Sequence, residues 1–170
     1  MLFPLLKLFH VFMPRGATMA RALNLTLPIK QDADTLAKLK KLKEDFATEI
    51  QPKIDEALRK SKIVHSARVL VVHDKYLMVI TEYDGQPEAY TEFFRRALPD
   101  VFARLFEVAE GAPPFGALDK EKFFGVAQAL DLPMLGQSTD GNKGYLFSAY
   151  RDREVKDILP KIGAVGQAAE

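Results

Sequence analysis

The stretch IVHSARVLVVHDKYLMVITEY, residues 63–83, decides the fold. Its two arms, residues 63–73 and 76–83, are rich in β-branched and aromatic types, and only Asp74 and Lys75 stand between them. Such side chains pack well on a pleated surface, and a two-residue loop is the commonest hairpin connection. The expected hairpin sets His73 opposite Tyr76, Val71 opposite Met78, Val69 opposite Ile80, Ala67 opposite Glu82 and His65 opposite Asp84. Both faces are then apolar near the turn and polar at the far end. A sheet buried for stability alone has no need of His65, Arg68, Glu82 and Tyr83 near one end, so chemistry is sought there.

Upstream, Leu23, Leu25, Leu27 and Ile29 alternate with Asn24, Thr26 and Pro28, the period of a strand with one buried face. Leu36, Leu39, Leu42, Phe46, Ile50, Ile54 and Leu58 then recur every three or four residues as the stripe of a long amphipathic helix. Pro52 must kink or restart that helix, because it removes a backbone donor. The lysines of residues 38–43 form its solvated face. Downstream, Pro87 opens a helix striped with Tyr90, Phe93, Phe94, Val101, Phe102, Leu105 and Phe106, again with a proline, Pro99, inside the pattern. These aromatics read as core. A rigid turn at residues 112–116 leads to a short helix near 118–130 and to a turn-rich stretch, residues 133–144, read as a mobile loop or lid. YLFSAYR, residues 145–151, is the expected fourth strand, and residues 155–162 form a final short helix.

Composition narrows the function classes. The 170 residues carry 24 Lys and Arg against 23 Asp and Glu, which removes the electrostatic footprint of a nucleic-acid binder. There is no cysteine, which excludes disulfides, thiolate nucleophiles and Cys-ligated metals. Histidine occurs only at 10, 65 and 73. No Gly-rich phosphate loop, nucleophile elbow or HExxH zinc motif occurs. Residues 1–13 (MLFPLLKLFHVFM) are apolar but interrupted and too short for a bilayer, which takes about 20 apolar residues. Residues 1–18 are read as an extension carrying no function, with Met19 as the biological start, residues 19–162 as one domain and residues 163–170 as a flexible tail. No membrane association is expected, and the expected location is the cytoplasm.

The order strand, helix, strand, strand, helix, strand is ferredoxin-like: an α+β fold with a four-stranded antiparallel sheet and an extra helix before the last strand. Right-handed crossovers would place both long helices on one sheet face and leave the other bare, to be covered by a second copy. With this order, and with LNLTLPIK, KIVHSARVLVV, YLMVITEYDG and YLFSAYRD, the chain resembles the dimeric α+β-barrel superfamily. That resemblance implies a homodimer and a cavity for a small apolar ligand. Relatives of the architecture include metal-free monooxygenases, isomerases, haem-binding peroxidases and sensing domains, so the fold leaves function open.

Four residues are candidates for chemistry. His65 reads as a general base oriented by Asp84, as a haem or metal ligand, or as a structural histidine bonded across the hairpin. Arg68 with Tyr83 could hold a carboxylate or phenolate, the plain alternative being an ion pair of Arg68 with Glu82. No cofactor is required by these residues; haem is the one group the His65 reading keeps open. The functional expectation is a small-molecule-binding protein, as a cofactor-independent oxygenase or isomerase acting on an apolar aromatic or polyketide-like compound. A non-catalytic ligand-binding or scaffolding dimer is the alternative.

Overall fold

A computed structural model describes residues 20–138, 141–149 and 153–167, the last five as backbone alone. The expected N-terminal extension and the end of the tail lie outside the described residues. Strand β1 (Arg21–Pro28) is followed by helices α1 (Ala33–Asp45) and α2 (Gln51–Ser61), then by strands β2 (Val64–Val72) and β3 (Tyr76–Tyr83). Helices α3 (Pro87–Ala97), α4 (Pro99–Val108), α5 (Lys120–Leu130) and α6 (Val155–Gln167) complete the fold.

Local chemistry explains the boundaries. Asp32 caps α1 by accepting the Thr35 N–H at 2.8 Å, while Leu39 and Leu42 turn inward and the lysines outward. A π-helical turn, Phe46–Ile50, joins α1 to α2, because Pro52 offers no N–H to the carbonyl four residues before it. Pro99 likewise separates α3 from α4, and Leu98 before it leaves helical geometry. Phe102, Phe106, Phe115 and Phe123 form one cluster, with ring centroids 5.0–6.4 Å apart.

The sheet has three strands in the order β1-β3-β2, every pair antiparallel. β1 and β2 therefore flank β3 as a split β-α-β unit, and its helices pack on the face carrying Leu25, Leu27 and Leu77. The four-stranded ferredoxin-like sheet is thereby corrected. Residues 145–149 form no strand, and Tyr150 and Arg151 lie outside the described residues. The reason is that another segment already serves the free edge of β1. Asp131 and Asn142 side chains accept the N–H groups of Asn24 and Ala22 at 2.8 Å each, and Leu132 donates its N–H to the Asn24 carbonyl at 3.0 Å. Asn142 also donates to the Ala20 carbonyl at 3.2 Å. These are the backbone groups a fourth strand would have taken; Asp131 and Leu132, just before the stretch expected as a lid, and Asn142 within it cover the edge instead.

The hairpin register is corrected too. The turn spans three residues, His73, Asp74 and Lys75, and Val72 pairs with Tyr76. His73 and Asp74 both adopt left-handed backbone, φ 51° and 55°, which these residue types tolerate better than most. The Asp74 carboxylate pairs with Lys43 of α1, and Gln31 donates to the Asp74 carbonyl, so the turn is anchored to the helix layer. A slip of one residue exchanges the faces. Ala67, Val69, Thr81 and Val79 face the helices; Ser66, Arg68, Leu70, Glu82, Ile80 and Met78 face the other way.

Candidate functional site

The polar end of the hairpin is built around a bulge. Ser66 pairs with Glu82 but Val64 pairs with Tyr83, so His65 is an extra residue on β2 with no counterpart on β3. Bulges re-aim side chains, and here His65 Nε2 lies 2.8 Å from Asp84 Oδ1. Asp84 is buried, and its Oδ2 accepts the Val155 N–H at 2.7 Å, at the first turn of α6. Both carboxylate oxygens act as acceptors, so Nε2 is the donor of this bond, and a neutral ring then has its lone pair at Nδ1. Nδ1 makes no hydrogen bond among the described residues and is not sealed from solvent.

Beside this pair runs a second polar set. Glu82 takes the Ser66 hydroxyl on one oxygen and Arg68 Nη2 on the other, the latter at 3.3 Å. Glu82 is thus fully engaged, and Ser66 is bonded to it instead of to His65, so no Ser–His–Asp relay forms. Arg68 is largely exposed and its ion pair contributes little to stability. Tyr83 lies on the opposite face, stacked on Tyr90 with ring centroids 3.8 Å apart, and burial pushes its phenol up to about 12. Of the four candidates, His65 and Asp84 meet, Arg68 pairs with Glu82 in a separate set beside them, and Tyr83 is elsewhere.

Over this floor lies a pocket of about 400 Å³. Leu146 and Phe147 line it together with Val155, Ile158, Leu159 and Ile162 of α6. The volume falls in the range of small-molecule sites, and apolar walls with a few convergent polar groups are their usual lining. The α6 wall was open to sequence reading, since residues 155, 158, 159 and 162 follow the i, i+3, i+4, i+7 spacing of one helix face. Ser66 carried no such signal: its role depends on the register. The cavity between sheet and helices is lined by none of the four candidates.

With Nε2 committed to Asp84, Nδ1 is the nitrogen that His65 would offer to a haem iron. Among the described residues no group of three or more His, Cys, Asp or Glu side chains could hold a metal ion. Nor is any helix among them long and apolar enough to cross a membrane.

The fold and site define an α+β protein with a ligand-sized pocket where a bulged hairpin meets a terminal helix. No family model, curated protein or solved structure matches the chain.

Proposed function

We propose that the protein binds a small apolar compound bearing one acidic hydrogen, in the pocket under α6, and that His65 moves that proton. The supporting observation is the His65–Asp84 pair on the floor of an apolar-walled pocket, with Nδ1 unspent. A buried carboxylate fixes the ring and its tautomer and stabilises the imidazolium formed when Nδ1 takes a proton. Ser66 lines the same pocket, and its hydroxyl oxygen, while donating to Glu82, can still accept a hydrogen bond from a polar end of the ligand. Proton abstraction from carbon opens both isomerisation and cofactor-independent oxygenation, so the reading covers either reaction.

The test is a thermal-shift panel of aromatic acids, quinones and β-diketones, followed by deuterium uptake at the acidic carbon of any binder in heavy water. Binding should vanish in Leu159→Lys, which puts a charge in the pocket wall, and His65→Gln should slow uptake by about 10²–10⁴-fold. Failure of every compound to shift the transition, or uptake unchanged in His65→Gln, overturns the reading.

One observation favours a second, non-catalytic reading: Asp84 is also the cap of α6, so the pair has a structural use. In that case the outer sheet face, where Leu70 and Tyr76 are 42% and 45% exposed beside Met78 and Ile80, pairs with a second copy. Sedimentation of wild type against Leu70→Lys discriminates: a dimer dissociated by the substitution, with no proton exchange, supports this reading, and a monomer at all concentrations rejects it.

A further inference from the structure

The cavity on the helix-facing side of the sheet is a separate space, of about 60 Å³. Leu25, Val69, Val79, Val101 and Phe102 are among its apolar walls. A water needs only about 10–15 Å³, yet apolar cavities stay dry and take apolar guests instead. Three residues of this lining carry hydroxyls, Thr81, Tyr90 and Thr91, all buried. The hydroxyls of Thr81 and Tyr90 are hydrogen-bonded to each other at 2.8 Å, and neither makes another hydrogen bond among the described residues.

Counting protons gives the inference. Two hydroxyls hold two protons, and their mutual bond uses one of them, whichever group donates. The other proton is left without an acceptor inside an apolar cavity, an arrangement that costs free energy unless something there accepts it. Thr91, the remaining hydroxyl of the lining, spends its proton on the carbonyls of Pro87 and Glu88. From the cavity and the unspent proton together we infer that this space is a second ligand site, for a small apolar molecule carrying a single acceptor such as a ketone oxygen. The site is independent of His65 and of the α6 pocket.

The test uses cyclopentanone and cyclopentane as probes, matched in shape and differing in one acceptor. Binding is followed through the methyl resonances of Val69 and Val101, with those of Val155 and Ile158 reporting the α6 pocket. Both probes should move the first pair of residues. The ratio of their dissociation constants should then shift about threefold to tenfold against the ketone in the double variant Thr81→Val/Tyr90→Phe, the worth of one hydrogen bond. Replacing both partners by groups of the same shape is close to neutral for stability, so that variant should fold. Neither probe perturbing Val69 and Val101, or shifts confined to Val155 and Ile158, overturns the inference. An unchanged ratio overturns it as well, and would mean that the proton is spent on an internal water.

Discussion

Asp84 is the residue whose replacement reports most about this fold, because one carboxylate serves two elements distant in sequence. Its Oδ2 accepts the Val155 N–H at 2.7 Å, a donor at the N-terminus of α6, and its Oδ1 faces His65 Nε2 at 2.8 Å. Hydrogen bonds to a charged group contribute about 1.5–3 kcal/mol each, so Asp84→Ala removes about 3–6 kcal/mol in gross terms. Part of that loss is capped by the docking energy of α6, since the helix can detach and return its donors to water. Asp84→Asn behaves differently. The amide oxygen can still accept from Val155, but the amide nitrogen must then face His65, which can accept only with its proton moved to Nδ1. That variant should cost about 1–2 kcal/mol, the difference between a charged and a neutral acceptor, and should keep α6 in place. It should nonetheless lose proton transfer as fully as His65→Gln, because the nitrogen facing the ligand no longer holds a lone pair. Hydrogen exchange at the amides of α6 and β3, with urea denaturation of both variants, measures each part. The reasoning is refuted if Asp84→Ala costs less than about 1 kcal/mol, or if α6 keeps its protection in that variant.

Two further predictions concern the sheet. Asn142→Ala strips acceptor and donor from the Ala22 N–H and the Ala20 carbonyl, and should cost about 2–4 kcal/mol in urea while freeing the β1 edge to associate with other chains, visible as growth in light scattering. Burial raises the Tyr83 phenol from 10.0 to about 12, so the unfolded state releases its proton first. Tyr83 therefore contributes stability that is whole below pH 10 and is lost as pH rises toward 12; Tyr83→Phe should flatten the fall in urea midpoint between about pH 10 and about pH 12.

What could be read in advance depended on whether the signal was local. The alternation of Leu23, Leu25 and Leu27, the stripe of residues 36–58 and the interruptions at Pro52 and Pro99 are written in neighbouring residues, and each appears where expected. Residues 145–151 have strand-forming side chains, but strand formation also needs a free edge. The edge of β1 is served by Asp131, at the end of α5, and by Asn142, in a stretch whose composition says only that it turns. Competition for an edge is a long-range property, and propensity does not register it.

The candidate site shows a contact that survives two displacements of register in the same direction. A two-residue turn would have set His65 opposite Asp84, and the two side chains do touch. They do so although the turn holds three residues and every pair from Val72 to Ser66 is displaced by one. The displacement reverses the faces through the middle of the hairpin, which is why Thr81 lines the inner cavity while Arg68 and Glu82 share the outer face. The extra residue at His65 then advances β2 by one position, and Asp84 donates its N–H to the Ile63 carbonyl at 2.8 Å in the new register. Deleting one residue from the turn would restore the two-residue loop, but the contacts of Asp74 with Lys43 and Gln31 hold the existing turn against the helix layer. The position of His65 therefore rests on the bulge beside it and on an anchored turn at the far end of the same hairpin.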